Sequence, residues 1–280
     1  MQGEKMPYTL FQKKYFSVGA CTDPGLVRKD NQDSYLSCGS GGLFLVSDGM
    51  GGGDAGDQAS RLVVRHLSQA AQKPLKDLSA VVDLACRANQ EIVQYAAKNN
   101  LRGMGATLVG IILAPFQPAH GMLFFAGDSP CFRLRNRTLT KLTTDHTVAS
   151  AMGIPEEQLA RHLQGVLTNV TGCGPNFFLE THELEIQSRD QYLLCSDGVS
   201  RQISESEMKE ILMSDRSAEQ KARDLVQTAL KHGGPDNATA VVVAFDSLPE
   251  ITPDVLQEEQ TCPDLSASGK DDNDVTPPTE

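Results

Sequence analysis

Short apolar runs in this chain keep ending at an aspartate, and that pattern constrains its fold more than any other feature. The run at 42–46 leads into Ser47-Asp48-Gly49, 192–195 into Ser196-Asp197-Gly198, and 122–126 into Gly127-Asp128. A fourth aspartate, in Pro235-Asp236-Asn237, opens the apolar run at 238–245. A run of this length bounded by Asp-Gly reads as a buried strand whose end presents a carboxylate at the sheet edge. A single Asp-Gly after a strand is also ordinary turn chemistry. Carboxylates repeated at strand ends, however, make a set of hard oxygen donors, which Mg²⁺ and Mn²⁺ prefer. The residues alone therefore point first to a metal-dependent enzyme.

From about residue 15 to 246 the pattern reads as one α+β domain, with strands expected over 15–22, 43–47, 107–113, 121–126, 131–134, 177–184, 191–196 and 238–245. Two helices interrupt the strands. In 55–72, Ala59, Leu62, Val63, His66 and Leu67 share one stripe, and in 75–98 Val81, Leu84, Ala85, Ala88, Ile92 and Tyr95 do the same. A late helix begins at a capping box, Ser217 with Gln220, buries Ala222, Leu225, Val226, Ala229 and Leu230, and stops at Gly233. A shorter helix is expected over 206–213. Strands in groups with paired helices inserted favour a mostly antiparallel core over a doubly wound parallel sheet.

Charge and cysteine usage narrow the function classes. Of the net charge of −11, −8 lies in 247–280, which has nine acidic residues against Lys270 alone, leaving −3 for the rest. That segment is rich in Pro, Ser, Thr and acidic residues, and an acidic disordered tail is expected there, with residues 1–14 as an N-terminal extension. No basic face suggests nucleic acid. No run approaches the roughly 18 apolar residues of a membrane span. The start, Met1–Tyr8, lacks the apolar core of a secretory signal. Seven scattered cysteines without a Cys-x-x-Cys pair suit cytosolic thiols, so a cytoplasmic monomer is expected.

The polar clusters fall in a particular order. They are Thr22-Asp23-Pro24-Gly25-Leu26-Val27-Arg28 with Asn31-Gln32-Asp33, then Ser47-Asp48-Gly49-Met50-Gly51-Gly52 with Gly56 and Ala59-Ser60, then Gly105-Ala106-Thr107. Further on come Ala126-Gly127-Asp128-Ser129, 142–146, Cys195-Ser196-Asp197-Gly198 and Asp236-Asn237-Ala238-Thr239. In this order and at these gaps, over about 15–245, the chain resembles the bacterial form of the type 2C, metal-dependent serine/threonine protein phosphatases. The resemblance implies a four-layer α/β/β/α sandwich, two antiparallel sheets packed face to face with helices outside and a metal cleft at one edge. It also implies two Mn²⁺ or Mg²⁺ ions whose bridging hydroxide attacks the phosphorus of phosphoserine or phosphothreonine. Asp48 would bridge the ions, Asp197 and Asp236 would ligate one, and the Gly49 carbonyl the other. Asp33 would hold metal-bound water, Arg28 would clamp the phosphate, and Asp128 with Asp197 would offer a weak third site. The segment 148–174 would form a variable flap. Phosphoproteins made by a partner Ser/Thr kinase are the implied substrates.

Several residues keep a second reading. Gly51-Gly52-Gly53 reads either as a phosphate-cradling loop or as close packing beside the ions, and no Gly-Lys-Ser/Thr follows to make a P-loop. His146 reads as a hydrogen-bonded structural residue and Cys195 as core. Departures from the family pattern are Gln32 in place of Glu, Pro130 in place of Arg, Arg201 in place of Asp, and Met50 where eukaryotic members carry His. A cation at 201 should repel a third divalent ion. A catalytically silent module that binds a phosphoprotein is the alternative these departures support.

Overall fold

The computed structural model describes residues 15–51, 55–72, 78, 80–114 and 117–248. The expected N-terminal extension, all but two residues of the acidic tail, Gly52, Gly53 and the expected helix start at 75–77 lie outside the described residues. In chain order the elements are β1 (Phe16–Asp23), β2 (Asp33–Cys38), β3 (Leu43–Met50), α1 (Ala55–Gln72), α2 (Ala80–Lys98), β4 (Gly105–Ala106), β5 (Leu108–Leu113) and β6 (His120–Ala126). They continue with β7 (Cys131–Arg135), β8 (Thr138–Lys141), α3 (Val148–Met152), β9 (Glu180–Glu185) and β10 (Gln191–Cys195). Then come α4 (Asp197–Ser200), α5 (Glu205–Met213), α6 (Ala218–Lys231) and β11 (Ala238–Phe245).

One sheet runs β1-β11-β10-β7-β8 and the other β2-β3-β5-β6-β9, with β4 pairing the end of β3. Every pairing is antiparallel. The period-2 alternation of a strand explains how continuous apolar runs are used here. Along β3, Phe44 and Val46 enter the core between the sheets, whereas Leu43 and Leu45 pack under α1 and α2. Along β11, Val241, Val243 and Phe245 face the opposite sheet, while Ala238, Ala240 and Val242 meet α5 and α6. Central strands are thus buried on both faces because helices cover each outer face. The α/β/β/α sandwich expected from the resemblance is the observed architecture.

Local chemistry accounts for the element ends. The Ser217 hydroxyl accepts from the Gln220 N–H and the Gln220 side chain accepts from the Ser217 N–H, which closes the expected capping box. Ser204 and Glu207 build a second one at the start of α5. The short elements β4, α3 and α4 were not expected, and three further departures have a plain physical reason. β2 was not expected, because Asp33-Ser34-Tyr35-Leu36-Ser37-Cys38 lies half exposed at a sheet edge and carries little apolar periodicity. β8 returns from β7 through Asn136 and Arg137, both left-handed (φ 50° and 63°), and Arg137 is not a residue that advertises such a turn. β9 covers Glu180–Glu185 rather than 177–184, since its exposed residues are charged and polar.

Phe44 lies between the sheets, fully buried, with its ring edge-on to Phe16 at 5.6 Å. Phe44→Ala should cost about 4 kcal/mol through the cavity it leaves, lowering Tm by on the order of 10 °C. A thermal melt followed by circular dichroism checks this; a shift under 3 °C would mean the sheets close over the gap.

Candidate active site

Four strand ends deliver carboxylates to one cleft of about 310 Å³, where Asp48, Asp128, Asp197 and Asp236 all line the wall with Arg28 and Arg201. Asp48 comes from the end of β3 in one sheet. Asp197 follows β10 in the other sheet and opens α4. Asp128 follows β6, and Asp236 precedes β11. Gly165 and Leu167 also line it, so part of the expected flap does border the cleft.

The two Ser-Asp-Gly copies share a physical reason. At Gly49 a Cβ would run into the Gly56 carbonyl, and at Gly198 into the Asn237 carbonyl. Each glycine lets a neighbouring backbone close directly on the residue that follows the carboxylate. The serines anchor the strands: Ser47 Oγ donates to the Thr107 carbonyl at 2.7 Å, and Ser196 Oγ donates to Asp33 Oδ2 at 2.7 Å.

Asp33 stands opposite Asp48 in the β2–β3 ladder. Its Oδ2 accepts from Ser196 and from Thr239 Oγ1, both at 2.7 Å, which ties one sheet to the other. Its Oδ1 is buried with no hydrogen-bond partner. Burial, opposed by those two hydroxyls and reinforced by the charges of Asp197 and Asp236, pushes Asp33 up to about 6. Burial and then the charges of Asp33, Asp197, Asp128 and Asp236 hold Asp48 well above the usual carboxylate range. Asp128 is pushed up to about 6 by burial and Asp197, and Asp197 is raised by burial against the pull of Arg201.

Arginines answer part of this charge. Arg28 Nη2 donates to Asp236 Oδ2 at 2.8 Å. Arg201 donates from Nη2 to Asp128 Oδ2 at 2.9 Å and lies with Nε 3.2 Å from Asp197 Oδ2. Pro130 does not line the cleft; it is buried, and its carbonyl accepts from the Cys195 N–H. Met50 does line it and is partly exposed.

Asn237 is the residue whose part the sequence reading missed. Its Nδ2 donates to the carbonyls of Pro24 and Asp30, and its Oδ1 accepts from the Gln32 N–H. One amide side chain thus fastens the loop carrying Arg28 and Gln32 beside Asp236. The signal was an Asn directly after an aspartate at a strand start, where both donors and an acceptor are usable. Thr107 is a second such residue, accepting from the Asp48 N–H at 2.9 Å and bonding Ser129. His146 has a structural place: it stacks on Phe125, its Nδ1 meets the Gly127 N–H and Asn169, and its Nε2 meets Glu180. Cys195 is fully buried in the core.

The donors suit a hard divalent cation: all are oxygens, their charges repel one another, and a buried Asp33 oxygen lacks a partner. Among the described residues no three His, Cys, Asp or Glu side chains stand as a ready-made cage. Guanidinium groups bond Asp128, Asp197 and Asp236 in their present orientations.

A carboxyl whose folded value is raised binds more protons in the native state than in the unfolded one, so its ionisation costs stability as pH rises. In EDTA, Asp48→Asn should melt at a higher temperature than the wild type at pH 7.5, and the gain should shrink as pH falls, because burial and the neighbouring aspartates favour the protonated Asp48 carboxyl. An equal or lower Tm at pH 7.5 would show that the aspartates do not repel as described.

Comparison with known proteins agrees with this geometry. Residues 27–240 match the family model described as Protein phosphatase 2C. The chain is 35% identical over 246 residues to the serine/threonine phosphatase stp of Listeria monocytogenes, covering 80% of this chain and 94% of that relative. It is 35% identical over 271 residues to the serine/threonine protein phosphatase PstP of Mycobacterium tuberculosis, spanning 93% of this chain and 50% of the longer relative. Among solved structures, PppA of Pseudomonas aeruginosa superposes with a TM-score of 0.75 at 31% identity, covering 83% of this chain and 99% of that one. The catalytic domain of PstP in complex with two manganese ions gives 0.73 at 32% identity, with coverages of 83% and 99%. The chain belongs to the protein phosphatase 2C family and is a protein phosphatase of the bacterial serine/threonine type.

Proposed function

We infer that this chain hydrolyses phosphoserine and phosphothreonine in phosphoproteins with the help of two divalent ions, Mn²⁺ or Mg²⁺. The observation that carries the reading is the convergence of Asp48, Asp197 and Asp236, from both sheets, on one cleft that also holds an arginine. Two such ions supply a deprotonated water at neutral pH and positive charge for the phosphoryl oxygens. Asp48, Asp197, Asp236 and the Gly49 carbonyl are the groups that would hold them.

The chain's own residues do the rest. Asp33, with one oxygen fixed by Ser196 and Thr239 and the other buried without a partner, stands opposite Asp48 and would orient water held beside it. Arg28, about half exposed, presents a guanidinium fork that matches two phosphoryl oxygens and is steadied by Asp236 and, through its loop, by Asn237. Among the described residues no side chain is placed as a nucleophile: Cys195 is sealed in the core with its thiol pushed up by burial. Direct attack by water on phosphorus, without a phosphoenzyme, is the chemistry this arrangement supports. Met50 offers no proton, so water must protonate the leaving alkoxide.

Substrates are phosphoproteins, written by a Ser/Thr kinase in this reading, and the flap residues Gly165 and Leu167 border the place where their chain would lie. The six cysteines among the described residues are free thiols, which supports a reducing, cytoplasmic setting. Among the described residues no helix is long and apolar enough to cross a membrane.

Turnover of a phosphothreonine peptide, with Mn²⁺ titrated in, tests the reading. Wild type should show metal-stimulated release of phosphate, faster than from sugar phosphates. Asp236→Asn should lose it. Asp33→Asn should need about 10–100-fold more Mn²⁺, and Arg28→Ala should lose about 10–100-fold in kcat/KM. A wild type with no metal-stimulated turnover would leave only a phosphoprotein-binding module, and a preference for sugar phosphates would move the substrate class to small metabolites.

A further inference from the structure

Arg201 lies four residues after Asp197, at the C-terminal end of α4, and its N–H donates to the Asp197 carbonyl at 2.8 Å. That turn carries its side chain back over the Asp197 carboxylate. There a single guanidinium reaches both Asp197 Oδ2 and Asp128 Oδ2. The Asp128 side chain is 9% exposed and that of Arg201 45%, so a partly open guanidinium reaches a carboxylate that is largely out of solvent.

Resting on the two-ion reading above, we propose that Arg201 is a built-in cation occupying the Asp128–Asp197 side of the cleft, and that it limits the protein to two divalent ions. Without it, Asp128 and Asp197 are two carboxylates close enough to share one cation, as their common guanidinium shows, and they offer hard oxygen donors to a further divalent ion. A guanidinium stays charged at every accessible pH, so it both satisfies the two carboxylates and repels a dication brought among them.

Two other roles for Arg201 are weaker. Its approach to Glu156 in the flap is 4.0 Å between two partly exposed groups, a contact of a kind that contributes little. As a phosphate clamp it is already committed to two carboxylates, whereas Arg28 donates to one, Asp236, through Nη2. The position is therefore one that sets metal number. It acts on substrate only through what the cleft can bind.

Equilibrium dialysis against saturating Mn²⁺ at pH 7.5, with the bound ions counted per chain, tests this. Wild type should bind two ions, Arg201→Lys two, and Arg201→Asp three, the third more weakly. Asp128→Asn should also bind two, because Asp128 holds no ion, and this arm stands even if Arg201→Asp fails to fold. Three ions on the wild type, two on a folded Arg201→Asp, or one on Asp128→Asn would overturn the proposal. Fewer than two on the wild type would instead sink the two-ion reading, and the inference with it.

Discussion

Mutual repulsion among aspartates is the constraint on which the cleft depends. Asp33, Asp48, Asp128 and Asp197 are each pushed above the ordinary carboxylate range, with burial first among the causes and neighbouring aspartates behind it. No folding advantage explains such a gathering, since each charge taken out of water costs stability unless something answers it. The protein keeps the cluster in place by force of scaffold. The site therefore exists at the expense of the metal-free fold, and bound cations should return that stability.

The scaffold can do this because its two sheets share a dry core and are also bonded across the site. Asp33 in one sheet accepts from Ser196 and Thr239 in the other. Ser47 and Thr107 fasten β3 to β5 beside Asp48. Asn237 ties the loop bearing Arg28 to the start of β11. Glycines at 49 and 198 allow the backbones on each side to close up. Removing a charge from the cluster is thus a different kind of change from removing one of these bonds, the first relieving strain and the second releasing geometry.

Much of the architecture was legible because burial leaves a plain mark. Runs such as 108–113 and 238–245 are apolar on both faces, and stripes such as Ala59, Leu62, Val63 and Leu67 have helical spacing. The carboxylates were legible for the same reason, since each interrupts such a run. Edge elements were not: β2 is half exposed and polar, and β8 depends on a left-handed Arg137. Nor was the pairing of Arg201 with both Asp128 and Asp197 visible. Sequence placed a cation near that region, but the distance of 73 positions between Arg201 and Asp128 is closed only by the packing of β7 on β10. Asn237 was seen as part of a motif, yet its three backbone partners lie more than 200 positions away.

The most direct test of the central claim is a crystal of the protein soaked in Mn²⁺, with diffraction recorded at the manganese absorption edge. The account predicts two anomalous peaks in the cleft, about 3.5–4 Å apart, with Asp48 between them and Asp197 and Asp236 in contact. An empty cleft at saturating manganese, or a peak that Asp48 does not touch, would contradict it.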